Sequence, residues 1–148
     1  MLTKLDNSNE EVASQIYSIF QSSYKVEAQL IGTLEFPPLL REAKDIECSE
    51  TDFYGYFESK SLAGVIEIAL DNMHLEIHSL TIDPNHFRKG IADKLINYIL
   101  GDLDFTEAIV ETAVVNIPAI NLYKKHGFIE FRRWMPSHGI EKLAMSSQ

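Results

Sequence analysis

Cysteine is almost missing from this sequence. Cys48 is the one thiol in 148 residues, so no internal disulfide can form. A single thiol suits a reducing compartment. No His–Asn context near Cys48 suggests a nucleophile. Long apolar runs are also missing. Nothing approaches the roughly 20 apolar residues that a membrane helix needs, and residues 1–11 lack the apolar run of a signal peptide. The expected setting is therefore cytoplasmic. Basic residues are few: 13 Lys and Arg stand against 22 Asp and Glu, for a net charge of −9. Such a surface repels a phosphate backbone, so nucleic acid is not an expected partner. It tilts toward cationic partners, although solubility is the commoner use of acidic charge. Metal spacings are missing too. His74 and His78 would stand roughly 13 Å apart on a strand with ~3.3 Å rise per residue, and one cysteine makes no zinc pattern. Two phosphate signatures are absent as well, the P-loop GxxxxGK[ST] and the dinucleotide GxGxxG.

What is present is an ordinary globular composition, 45% apolar. A chain of this length can bury a core unaided, and residues 1–148 read as one domain. Residues 2–5 suggest a short strand. Ser8 and Glu11 have capping-box spacing, and Val12, Ile16, Ile19 and Phe20 follow at helical intervals. That helix should end between Tyr24 and Gly32. Residues 36–41 suggest an extended turn leading to a short second helix. Strands are expected at 53–58, 62–70 and 73–82, with turns at Ser59-Lys60 and Asp71-Asn72. Links this short make antiparallel neighbours. Ile91, Leu95, Ile96, Ile99 and Leu100 then predict a helix, with Gly101 as its cap. Residues 108–115 read as a strand buried on both faces. Residues 116–126 suggest a helix with Pro118 in its first turn and Gly127 as cap. Strands at 128–135 and 140–145 close the chain and could pair across a homodimer. The order β1-α1-α2-β2-β3-β4-α3-β5-α4-β6-β7 predicts an α/β mixed sheet with helices on both faces. Its strand–helix–strand unit at 73–115 should be a right-handed parallel crossover.

Two stretches can carry chemistry. The first is Phe87-Arg88-Lys89-Gly90-Ile91-Ala92, where a strand gives way to a helix start. Unpaired N–H groups and a partial positive charge there favour a phosphate. Gly90 admits close backbone approach, and Arg88 and Lys89 add positive charge. A plain turn with solvated basic residues is the competing reading. The second stretch is residues 116–128. Ala119, Tyr123 and Gly127 recur at four-residue spacing and share one helix face, with Ala119 leaving room beside the Tyr123 ring. A core tyrosine is the competing reading.

In this order and spacing, the two stretches resemble the GNAT superfamily of N-acetyltransferases. Residues 87–92 are similar to its Q/R-x-x-G-x-G/A cofactor motif, with Phe87 in place of the Gln or Arg. Residues 116–128 match the pattern N-x-x-A-x-x-L-Y-x-x-x-G-F throughout. The resemblance implies an acyl-CoA N-acyltransferase-like fold and transfer of acetyl from acetyl-CoA to a primary amine, with no metal. It places the pantetheine arm against Leu80, Thr81 and Ile82, beside a strand that splays away. It places the diphosphate on the loop and first turn formed by Phe87, Arg88, Lys89, Gly90, Ile91, Ala92 and Asp93. With Phe87 unable to donate a hydrogen bond, the backbone amides must do most of that binding. Asn116 and Asn121 are further candidate cofactor contacts; Asn116 is also a good helix cap. Tyr123 is the implied general acid for the departing thiolate. The general base is Glu76, acting through water, or His78; both share a strand face with His74. A second reading of the same fold is a non-catalytic acyl-CoA sensor, and a third is a protein-association module.

Overall fold

The computed structural model describes residues 1–32, 40–137 and 139–147. Its elements follow the expected order: β1 (Leu2–Leu5), α1 (Glu10–Ile31), α2 (Ala43–Glu47), β2 (Asp52–Glu58), β3 (Ser61–Asp71), β4 (His74–Ile82), α3 (Ile91–Asp102), β5 (Glu107–Ala113), α4 (Ile117–Lys125), β6 (Ile129–Trp134) and β7 (Lys142–Ser147). A 3-10 turn, Pro84–His86, precedes the loop to α3. The extended turn expected from residue 36 lies, up to residue 39, outside the described residues. No helix among the described residues is long and apolar enough to cross a membrane.

The seven strands form one mixed sheet in the order β1-β2-β3-β4-β5-β7-β6. Two-residue links make β2–β3 and β3–β4 antiparallel, as expected. The second link is Asn72-Met73, both in the left-handed region, one residue later than the sequence suggested. Such paired positive φ values match the twist of a tight hairpin. The sheet separates two cores. Ala13, Ile16, Phe20 and Tyr24 of α1 and Ile46 of α2 pack on one face with Phe53 and Val65. Ile91, Leu95, Ile96 and Ile99 of α3 and Ile120 and Tyr123 of α4 pack on the other with Ile66, Leu75 and Val110.

Several local expectations need correction. The cap of α1 is Asn9, whose side chain accepts from Glu11 N and Val12 N at 2.9 and 3.2 Å. Ser8 spends its hydroxyl on the Asp6 carboxylate instead. Gly101 does not cap α3. The helix runs on to Asp102, capped at Leu103, which packs against the core. β5 is not covered on both faces, because Ala108, Val110 and Thr112 are buried while Glu111 is exposed. β7 begins two residues later than expected, a register that sends Leu143 and Met145 into the core.

One irregularity, in β4, opens the middle of the sheet. Glu67 of β3 faces Ser79, but Ile68 faces Ile77, so His78 is an extra residue in β4. A bulge of this kind reverses which side chains face which way. Before it, Leu75 and Ile77 enter the α3 core; after it, Leu80 and Ile82 pack there. Beyond the bulge, β4 also parts from β5. Their parallel pairing covers only His74–Ile77 against Glu107–Val110.

Candidate active site

Because β5 parts from β4 after Ile77 while staying paired with β7 on its other edge, a gap opens in mid-sheet. A chamber of about 480 Å³ fills it. Ile77, His78, Ser79 and Leu80 line it from β4, and Val110 to Ala113 from β5. Tyr24 and Glu27 reach it from α1, and Asn116, Ala119 and Tyr123 from α4. Backbone groups along the parted edge of β4 lack a sheet partner on that side, so they are available to an extended, amide-bearing ligand.

Tyr123 is 5% exposed and meets Phe128 edge-on at 5.6 Å. Burial, with the negative charge of Glu27 adding to it, pushes its phenol well above the usual range. The phenol therefore stays protonated and can donate. Ala119, one turn earlier, lines the chamber beside it, as the four-residue spacing predicts. Asn116 caps α4 by accepting from Ala119 N at 3.3 Å and donates to Glu27 Oε1 at 3.0 Å. Asn121 is exposed and does not line the chamber.

The two base candidates separate. His78 lines the main chamber, whereas Glu76 lines only a smaller cleft of about 240 Å³ next to it. Glu76 lies 3.3 Å from His78 Nε2 and 3.5 Å from His74 Nε2, with its side chain 50% exposed. The structure thus brings Tyr123, His78 and Asn116 together and leaves Glu76 behind His78.

Sequence reasoning missed two carboxylates. Glu27 lines the chamber, and burial raises its pKa against the lowering effect of the Asn116 hydrogen bond. The signal was available. Ala13, Ile16, Phe20, Tyr24 and Glu27 recur at three- and four-residue steps, so Glu27 is a charge on the buried stripe of α1. Glu67 is 2% exposed in the middle of an apolar strand. Arg41 grips it with two bonds of 2.6 and 3.0 Å, while Thr51 and Ser79 donate at 2.6 and 3.1 Å. Burial would raise this carboxyl, but those four donors outweigh burial and hold it below the ordinary value.

The loop before α3 is built as a helix-start site. Gly90 caps α3 at φ +73 with no side-chain hydrogen bond to the first turn, and a Cβ there would meet nothing within 4 Å. Arg88 is also left-handed at φ +66, a strained conformation for a residue with a side chain. Lys89 reaches back to Glu58 at 3.3 Å, and His86 shares that carboxylate at 3.2 Å. Asp93 holds His126 and Lys125 at 2.8 and 3.0 Å. Among the described residues, Arg88 forms no ion pair. Phe87 is half-exposed. Thr81 is buried, with its hydroxyl turned to Val65 O, so only its backbone can serve the gap.

A family model described as "Acetyltransferase (GNAT) family" matches residues 13–128. The chain belongs to the GNAT acetyltransferase family. The matched stretch of this GNAT domain runs from α1 to the edge of β6, so it contains the chamber walls Tyr24, Glu27, His78 and Tyr123. The chain is 33% identical over 129 residues to UPF0157 protein YqkA of Bacillus subtilis, covering 86% of this chain but 38% of that protein. The GNAT chain thus spans about two fifths of that curated relative. Among solved structures, the ribosomal-protein-S18-alanine N-acetyltransferase of Escherichia coli superposes with a TM-score of 0.78 at 16% identity, over 99% of this chain and 92% of that one. The PaiA N-acetyltransferase of Thermoplasma acidophilum, in complex with coenzyme A, gives 0.73 at 19% identity, over 100% and 98%. At such identities the likeness is one of fold, and the fold is the GNAT mixed sheet.

Proposed function

We propose that this GNAT domain transfers acetyl from acetyl-CoA to a primary amine by direct attack within a ternary complex. One observation carries the reading: β4 and β5 part after Ile77, and the Tyr123 phenol stands in the opening. A binding-only module has no need for a buried donor there. The residues present fit the thioester substrate. The parted edge of β4 at Leu80, Thr81 and Ile82 offers backbone partners to the pantetheine amides. The first turn of α3, at Ile91, Ala92 and Asp93, takes no side-chain cap and offers N–H groups to the diphosphate. The open space at Gly90 lets phosphate approach the backbone, and Arg88 supplies a cation. Lys89 and Asp93 contribute through their backbone, since their side chains are engaged by Glu58 and by His126 and Lys125.

When bound, acetyl-CoA supplies an activated acetyl group. Transfer forms a C–N bond and breaks a C–S bond; the amine gives up a proton and the departing sulfur gains one. His78, steadied by Glu76, is the wall group placed to take the amine proton. Tyr123, held neutral by burial, donates toward sulfur. Asn116 fixes the start of the helix that carries Tyr123, and Ala119 keeps the space beside its ring.

The test couples two measurements on the purified chain. Acetyl-CoA should raise the melting temperature, and free thiol should appear when primary amines are added. Tyr123→Phe should keep the thermal shift and lose about 10²-fold in kcat. Stabilisation without thiol release from any amine would leave a sensor in place of an enzyme.

A further inference from the structure

Among the described residues, the chamber holds one carboxylate without a cation. Arg41 is locked to Glu67 by two hydrogen bonds, and Lys142 is paired with Glu111 at 3.1 Å. Glu27, by contrast, forms no ion pair among the described residues. Its one polar contact there is the neutral Asn116 amide at 3.0 Å. The groups around it are Tyr24 on its own helix, Tyr123 on α4, and Lys142 across the chamber, whose charge lowers its pKa without overcoming burial. A carboxylate whose one polar partner is a neutral amide, in a partly buried wall, is unfavourable for folding. It becomes favourable once a cation joins it.

We infer that Glu27 docks the acceptor as its ammonium, which makes the acceptor an aliphatic primary amine, protonated in solution, and disfavours weakly basic arylamines. The inference rests on the acetyl-transfer reading and names the substrate class of that same chamber. Glu27 is placed for this role, because the Asn116 bond aims its carboxylate beside the Tyr123 helix. A docked ammonium therefore shares the chamber with the proposed base on β4 and the proposed acid on α4. Burial raises the pKa of Glu27, as expected of a site completed by an incoming cation. Acceptors bearing a carboxylate near the amine find no free cation among the described wall residues.

Three readouts on the wild type and Glu27→Gln decide it. Gln keeps the Oε1 acceptor for Asn116 and removes only the charge. With wild type, an alkylamine should be acetylated in preference to an arylamine of similar size. Glu27→Gln should raise KM for the alkylamine about 10- to 100-fold, the range expected on losing a charged hydrogen bond. Its kcat, its arylamine kinetics and its thermal shift with acetyl-CoA should stay near wild type. In the complex with coenzyme A, the alkylamine should add to the melting temperature of wild type but not of Glu27→Gln. An unchanged alkylamine KM in Glu27→Gln, or equal use of both amine classes by wild type, overturns the role of Glu27 while acetyl transfer stands. No stabilisation by acetyl-CoA and no transfer to either amine overturns the underlying reading, and this one with it.

Discussion

Glu27 and Glu67 are two buried carboxylates with opposite electrostatics, and they predict opposite responses to acid. Glu67 is held below the ordinary value of 4.5 by Arg41, Thr51 and Ser79. The folded state therefore binds its proton more weakly than the unfolded state does. Its stabilisation is fully present above pH 4.5 and is lost as pH falls through the depressed folded value. In urea melts, the stability gap between wild type and Glu67→Gln should shrink as pH is lowered from 5 through that window. At neutral pH, Arg41→Ala leaves the carboxylate buried without its cation and should cost about 3 kcal/mol. Glu27 has a raised pKa, so its ionised form opposes folding at neutral pH, and Glu27→Gln should be at least as stable as wild type there. A stable variant that binds the acceptor poorly is the pattern of a residue kept for function. Tyr123, Asn116 and Gly90 were legible in the sequence because each has a local signature of spacing or capping. Glu27 and Glu67 were less so. Their signal is a charge on an otherwise apolar stripe or strand, and its meaning depends on which element packs opposite.

At the scale of elements, alternation and turn chemistry gave the strands in chain order but not the place of β7 between β5 and β6, and helical spacing gave α1, α3 and α4. What they did not give was termination. Gly101 has the composition of a helix stop, yet the core contact of Leu103 carries α3 past it. Ser8 and Asn9 are both good caps, and competition from Asp6 decides between them. Nor is the bulge at His78 readable, since it exists only in the register of β4 against β3. Its consequence, a reversed face pattern, explains why the polar run His74, Glu76, His78 continues as Ser79 and Thr81. The glycines of α3 turn this into a test. Gly101 sits in the helix at ordinary φ with open space around it, so Gly101→Ala should stabilise by about 0.5–1 kcal/mol. Gly90 has equal space but φ +73, so Gly90→Ala should destabilise by about 1–2 kcal/mol. It should also weaken acetyl-CoA binding, since the added methyl occupies the approach to the first-turn amides. Thermal melts with and without acetyl-CoA separate the two effects. An equal loss of stability in both conditions would remove Gly90 from the binding site.

At the scale of the molecule, the sheet is two halves joined by a short seam. β1 to β4 form an antiparallel meander, β5, β7 and β6 form a second group, and only four parallel residue pairs connect them. A seam with so few backbone bonds should open more readily than the meander. A ligand that bridges it should stiffen it. Acetyl-CoA at about 100 times its Kd adds about 2.7 kcal/mol. For a chain of this size that raises Tm by about 5–10 °C. Hydrogen exchange locates the gain. Without ligand, amides at 78–82 should exchange faster than those at 64–68 on the neighbouring strand, which keep partners on both sides of β3. With acetyl-CoA, protection should rise at 78–82, the edge proposed for the pantetheine arm, and at 91–93, the helix start proposed for the phosphate. It should stay constant in β1 and β2, which are remote from the gap. Adding an alkylamine to the coenzyme A complex should then slow exchange around Glu27 in α1, and Glu27→Gln should abolish that second step alone. Protection spread evenly over the sheet would mean that the ligand acts on global stability without seating in the gap. Protection confined to 91–93 would mean that phosphate binds while the arm does not enter.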